Sequence, residues 1–134
     1  MPFVSMPVFD PQHDALALHA RLKQTPGLVI ACYCAAWCDT CEKYRPDFKA
    51  LAEQWPQHTF VWIDIEESPE LLDDEDVENF PTILVQNASG NLFYGTMLPH
   101  ISHLDRLISH MDNTTPVLDN GPALLQTLLM PAAQ

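Results

Sequence analysis

The stretch Ala35-Ala36-Trp37-Cys38-Asp39-Thr40-Cys41 places two thiols three residues apart. If the segment begins a helix, this spacing brings both sulfurs to one face of the first turn, within reach of a disulfide. Such a pair can cycle between dithiol and disulfide. We expect Cys38 to be the reactive thiol, because free N–H groups and the positive end of the helix dipole favour a thiolate there. Cys41, one turn inside the helix, would then be the resolving thiol.

The segments on either side of this pair predict a strand and a helix. Leu28 to Ala36 is a continuous apolar run, the pattern of a central strand buried on both faces. It delivers the cysteines to the C-terminal end of the strand, where open α/β sheets place their chemistry. Apolar residues then recur at helical spacing, which predicts a helix from about Asp39 to Gln54, kinked at Pro46.

The rest of the chain supplies the other elements of an α/β fold. Upstream, we predict an edge strand or extended lead-in over 3–9 and a helix that begins at Asp10-Pro11 and ends before Gly27. Downstream, the predicted elements are a strand over 59–65, a short acidic helix from Ser68, a hairpin over 82–94 with a four-residue loop at 87–90, and a closing helix over 101–111. The predicted order is β-α-β-α-β-(short α)-β-β-α.

Composition limits the class of protein. A chain of 134 residues with 47% hydrophobic residues predicts one core and one soluble unit. The formal charge of -12 argues against nucleic acid or an anionic membrane surface as a partner. No apolar run approaches the roughly 20 residues of a membrane span, and the first cation is Arg21, so we expect a cytoplasmic protein. Four cysteines crowded between Cys32 and Cys41 indicate redox chemistry rather than a disulfide framework.

Over roughly Asp10 to Met111 the chain resembles the thioredoxin-fold thiol–disulfide oxidoreductases. The family's Trp-Cys-x-x-Cys motif is matched at 37–41, its helix-kinking proline at Pro46, its cis-proline loop at 79–82 and the glycine of its last strand at Gly95. The resemblance implies an α/β thioredoxin fold, with a central mixed sheet flanked by helices on both faces. It covers 1–111 as the thioredoxin-like domain. Beyond it, the polar residues 112–116 predict a linker and the spacing of leucines over 124–129 predicts an extra C-terminal helix, so that 112–134 is an extension packed on the same domain.

The resemblance also implies roles for individual residues. Cys38 would attack a protein disulfide and Cys41 would resolve the mixed disulfide. Trp37, Phe80 and a cis Pro81 would contact the substrate peptide. No bound cofactor or metal is required, since the dithiol supplies the electrons and a separate electron donor or reductase restores them. The implied protein is a monomer that serves cell redox homeostasis.

Departures from the family pattern predict modulating residues. Asp39-Thr40 replaces the Gly-Pro of thioredoxins, and the Asp39 carboxylate opposes the helix dipole beside Cys38. Alternatively, Asp39 is an N-cap that forms a capping box with Glu42. The family's buried carboxylate is replaced by Cys32, and its lysine neighbour by Trp62. Proton transfer to Cys41 must therefore use water, Cys32 or another group.

Several alternatives remain open at the sequence level. Cys32 and Cys34 share one strand face, and we interpret both as small buried apolar residues. A sharper hypothesis places Cys32 behind Cys41, where it could exchange with it. The acidic stretch from Glu66 to Glu78 is either a solvated face or a source of field that favours basic partners.

The alternative function is a thioredoxin-like binding, assembly or metal-delivery module that uses the same thiols for a dedicated partner. Zinc prefers four ligands, but four cysteines in and just after one strand could not surround an ion without dismantling that strand. The C-terminal helix, in turn, could dock a second copy or a partner instead of its own domain.

Overall fold

The computed structural model describes residues 8–24, 27–35, 38–72, 81–87, 89–111, 114–119 and 121–128. Its strands are β1 (Val8–Phe9), β2 (Val29–Cys34), β3 (Thr59–Asp64), β4 (Thr82–Asn87) and β5 (Gly90–Thr96). Its helices are α1 (Pro11–Gln24), α2 (Asp39–Gln54), α3 (Ile101–Ser109) and α4 (Leu125–Leu128), with one 3-10 turn at Pro69–Leu72. The predicted order of elements is confirmed, except that the short acidic helix predicted from Ser68 is a 3-10 turn in the described part of the chain. Residues 3–7 of the predicted lead-in and 73–78 of the acidic stretch lie outside the described residues. None of the described helices is long and apolar enough to span a membrane.

The five strands form one mixed sheet in the order β1-β3-β2-β4-β5. Strand β2 lies at the centre, parallel to β3 and antiparallel to β4. A parallel pair requires a crossover connection, which α2 provides between β2 and β3, while the short loop between β4 and β5 produces an antiparallel pair. The cysteine segment therefore emerges from the central strand.

Both faces of β2 are buried, as predicted from its continuous apolar sequence. Successive side chains of a strand point to opposite faces. Ile30, Cys32 and Cys34 lie in the core cluster that α2 and α3 cover. Ala31 and Tyr33 lie in a second cluster, on the other face, that α1 and α4 cover. The cysteines of the strand thus face the helix that carries Cys41.

The hairpin between β4 and β5 is tighter than predicted. Asn87 pairs with Gly90, so both residues belong to the strands and not to the loop. The side-chain Oδ1 of Asn87 accepts hydrogen bonds from the N–H groups of Ser89 and Gly90 at 2.8 and 3.1 Å. This local side-chain bonding stabilises the turn and lets Asn87 and Gly90 stay in the ladder, so the predicted four-residue loop is wrong.

Helix α2 begins at Asp39 and ends at Gln54, the bounds that the sequence predicts. The helix continues through Pro46, whose side chain is exposed. Its buried face consists of Cys41, Tyr44, Phe48, Leu51 and Ala52. Because these residues recur every three or four positions, they form one stripe over the β2 cysteines.

Candidate active site

Cys38 marks the start of α2 and is a free, half-buried thiol. Its N–H donates to the carbonyl of Ala35 at 3.0 Å, and its own carbonyl accepts from the N–H of Glu42 at 3.1 Å. Cys38 is itself the N-cap, and no side chain caps the helix. The alternative in which Asp39 caps the helix is therefore wrong, because Asp39 is already the first helical residue. Asp39 and Thr40 are exposed beside the thiol.

Cys41 lies one turn inside the helix and is 2% exposed. Its sulfur forms a disulfide with Cys34, the last residue of β2, with the two Cα atoms 5.9 Å apart. This pairing differs from the predicted disulfide between Cys38 and Cys41, and it corrects the interpretation of Cys34 as only a small apolar residue. The spacing of residues along the chain does not show that the end of β2 lies against the first turn of α2.

Cys32 is fully buried on the same face, with its sulfur 3.6 Å from that of Cys34. Burial raises the pKa of the Cys32 thiol well above its usual value, so this group stays protonated. The sulfur joined to that of Cys41 is that of Cys34, and exchange between Cys32 and Cys41 stays a prediction. Trp62 pairs with Cys32 across β2 and β3, at the position where the resemblance placed it.

A cleft of about 380 Å³ reaches Cys41 from the protein surface. It is lined by Asp10, Ala35, Cys41, Glu42, Arg45, Trp62, Asp64 and Glu67. The Arg45 guanidinium lies over the Trp62 ring, 5.3 Å from its centroid. Asp64 pairs with Cys34 in the β2–β3 register, so a carboxylate lies beside the disulfide. Sequence reasoning missed Asp64, although strand alternation from Trp62 would have placed both residues on one face.

Of the three predicted substrate-contacting residues, only Pro81 belongs to the described part of the chain. Trp37 and Phe80 lie outside the described residues. Pro81 is buried, and its carbonyl accepts from the N–H of Met97 at 3.1 Å. Thr82 pairs with Tyr33, so Pro81 lies at the end of the sheet where β2 leads into the Cys38–Cys41 segment. The cis form of Pro81 stays a prediction.

We searched the described part of the chain for side chains that could bind a metal ion. No group of three or more His, Cys, Asp or Glu side chains there could hold an ion. His100 and His103, at the start of α3, have ring centroids 5.7 Å apart.

The strand order of the sheet, with Cys38 as the N-cap of α2, defines a protein with the thioredoxin fold. The thioredoxin family model matches residues 12–110. The chain belongs to the thioredoxin family.

Individual relatives agree with this assignment. The chain is 34% identical to the thioredoxin of Chlamydia trachomatis over 59 residues, 44% of this chain and 58% of that protein. It is also 34% identical to the mitochondrial thioredoxin-3 of Saccharomyces cerevisiae over 64 residues, 48% of this chain and 50% of that one. The chain thus spans about half the length of these curated relatives.

Among solved structures, the Trichomonas vaginalis thioredoxin aligns with a TM-score of 0.64 and 23% identity, covering 78% of this chain and 97% of that one. A thioredoxin of Nicotiana alata aligns with a TM-score of 0.66 and 20% identity, covering 84% of this chain and 99% of that one. The predicted α/β thioredoxin fold is confirmed.

Proposed function

We propose that the protein is a thiol–disulfide oxidoreductase that exchanges disulfides with protein substrates. The observation that carries the proposal is the position of Cys38, a free and half-exposed thiol at the N-terminal end of α2, one turn before the buried Cys41. Free backbone N–H groups and the helix dipole favour negative charge at this end of a helix. Cys38 is thus placed to act as a nucleophile, and Cys41 is placed behind it.

The reaction begins with both Cys38 and Cys41 reduced. The Cys38 thiolate attacks one sulfur of the substrate disulfide, forms a mixed disulfide and releases the other substrate sulfur as a thiolate. Cys41 then loses its proton and attacks Cys38, which releases the second substrate sulfur. Two electrons pass from the enzyme dithiol to the substrate, and an external dithiol returns them. The Cys34–Cys41 disulfide must be open for this second step.

The cleft offers a path for the proton of Cys41. Cys41 is buried, yet it lines the cleft together with the carboxylates of Glu42, Asp64 and Glu67. Water that enters the cleft would connect the thiol to these groups. This path takes the place of the family's buried carboxylate, whose position is occupied here by Cys32.

Several finer features belong to the same proposal. Trp37, Phe80 and a cis Pro81 contact the substrate peptide, while Asp39, Thr40 and Cys32 modulate the thiols. The acidic chain favours basic or neutral protein partners. The protein is a cytoplasmic monomer, supplied with electrons by a separate reductase.

The test is turnover of a protein disulfide, with insulin as substrate and excess dithiothreitol as electron donor. Cys38→Ser should lose turnover, because no other exposed thiol of the described residues can start the reaction. Cys41→Ser should form the mixed disulfide and retain it, which mass measurement detects. Ser102→Ala, at an exposed position of α3, is the surface control. Full turnover by Cys38→Ser would contradict the proposal.

A further inference from the structure

Three sulfurs lie close together at the end of the central strand. The sulfur of Cys41 is bonded to that of Cys34, and the sulfur of Cys32 lies 3.6 Å from that of Cys34. Cys38 lies one turn before Cys41 and packs at the margin of the same core cluster. The oxidoreductase cycle uses only Cys38 and Cys41, so Cys34 has no role in it.

Cys41 has two available partners. The Cα atoms of Cys34 and Cys41 are 5.9 Å apart, within the usual range for disulfides, and both residues belong to regular elements whose positions the core defines. Cys38 and Cys41 are separated by one helical turn, which also suits a disulfide. One sulfur can hold only one of these partners at a time.

We propose that Cys41 is shared by two mutually exclusive disulfides, one with Cys38 during turnover and one with Cys34 that switches turnover off. This inference rests on the proposed oxidoreductase function. In the exchange, the Cys34 thiol loses its proton to water and attacks Cys41, so the Cys34–Cys41 bond forms as the Cys38–Cys41 bond breaks. Cys38 leaves as a thiolate. The number of disulfides is unchanged, so the exchange requires no oxidant or reductant.

The switched form retains a nucleophile and lacks a resolving thiol. Cys38 is free and can still attack a substrate, but Cys41 is bonded and cannot release the product. The mixed disulfide therefore persists until an external thiol cleaves it.

The exchange ends at Cys34 rather than passing to Cys32. Residues i and i+2 of a strand are poorly placed for a disulfide.

Burial also protects the switched form. Cys34 is 1% exposed and Cys41 is 2% exposed, so a dissolved thiol cannot easily reach their bond. Cys38 is half-exposed and one turn away, which makes it the natural route of reduction. In this route Cys38 first attacks Cys41 and releases Cys34. A reductant then attacks the new Cys38–Cys41 disulfide at Cys38.

Disulfide mapping on the full wild-type chain tests the exchange. The reduced protein is oxidised with diamide, quenched with acid at increasing times, alkylated with N-ethylmaleimide and cut with chymotrypsin. Cleavage after Tyr33, Trp37 and Tyr44 separates a 34–37 peptide from a 38–44 peptide. We expect an internal Cys38–Cys41 disulfide first, followed by a 34–37 peptide linked through Cys41 with Cys38 alkylated. Alkylation of Cys34 at all times would overturn the proposal.

Turnover supplies a second readout. Pre-oxidised wild type, started with insulin and limiting dithiothreitol, should show a lag, whereas Cys34→Ala should begin without one. Cys34→Ser, which keeps the side-chain volume, replaces the alanine variant if that fails to fold. Ser102→Ala, at an exposed position of α3, keeps all four cysteines and should show the wild-type lag. An equal lag in the wild type and the Cys34 variant would refute the switch.

The two proposals fail in different ways. Reduced wild type and reduced Cys34→Ala should turn over insulin at the same rate. If neither does, the oxidoreductase proposal fails. If both do and Cys34 never enters a disulfide, only the switch fails.

Discussion

Tyr33 and Tyr44 are buried on opposite faces of the sheet, and their hydroxyl groups have different surroundings. The Tyr33 hydroxyl donates to the carbonyl of Leu71 at 3.0 Å. The Tyr44 hydroxyl is buried and has no hydrogen-bond partner among the described residues. Burial, together with the nearby Cys32 and Asp47, raises the pKa of Tyr44, which keeps the phenol neutral. A buried polar atom without a partner carries a desolvation cost.

Replacement of each tyrosine by phenylalanine should therefore change stability in opposite directions. Tyr44→Phe removes the unpaired hydroxyl and should raise the free energy of unfolding by about 1 kcal/mol. Tyr33→Phe is the matched variant, and it should lower that free energy by about 1–3 kcal/mol because a buried carbonyl loses its donor. Urea denaturation of the two variants measures both changes. A loss of stability in Tyr44→Phe as large as in Tyr33→Phe would contradict this account.

At the scale of elements, the turn between α2 and β3 connects three segments. The ring nitrogen Nδ1 of His58 accepts from the N–H of Leu28, just before β2, at 2.9 Å. Arg21 of α1 donates to the carbonyls of Pro56 and His58 at 2.8 and 3.2 Å, and to the hydroxyl of Thr59 at 3.1 Å. Burial and the Arg21 charge lower the pKa of His58, so the folded protein favours the neutral ring.

This shift predicts that stability falls as the pH decreases from about 6.5, the ordinary histidine pKa. Below that pH the unfolded chain protonates this histidine while the folded chain does not, so the free energy of unfolding rises with pH in this window. His58→Asn retains an acceptor that does not titrate, and it should show a shallower slope. Denaturation between pH 5 and 7.5 compares the two proteins; equal slopes would rule out His58 as the cause.

At the scale of the whole molecule, residues 121–128 return to cover the face of the sheet opposite the cysteines. Leu125 is 1% exposed and belongs to the core cluster with Leu18 and Leu71. The side chain of Gln86 donates to the carbonyl of Ala123 at 3.0 Å and accepts from the N–H of Leu125 at 3.1 Å. The division into a domain over 1–111 and an extension over 112–134 stays a prediction.

Truncation of Leu125 should therefore affect the whole fold. Leu125→Ala should lower the free energy of unfolding by about 2–5 kcal/mol, the usual cost of a cavity at a buried leucine. Leu16→Ala is the control, since Leu16 is 84% exposed, and it should change stability by less than about 0.5 kcal/mol. Thermal and urea denaturation report both values. Similar small effects in the two variants would mean that residues 121–128 contribute little to the core.

Local pattern predicts most of this fold and the position of its thiols. The continuous apolar run before the cysteines predicts a central strand, and apolar spacing predicts α2 with its bounds at Asp39 and Gln54, because both signals are written in neighbouring residues. The length of the hairpin loop was harder to predict from the sequence, since a single side chain, that of Asn87, determines how far the strand pairing extends.

The order of elements, the family resemblance and a cysteine at the start of α2 can all be read from the amino-acid sequence alone. Only the folded structure shows that Cys41 pairs with Cys34, that Asp64 lies beside this pair, and that a cleft reaches Cys41. The physical reason is that these contacts join different elements. They depend on how the end of β2 packs against the first turn of α2, and no spacing along one segment reports that packing.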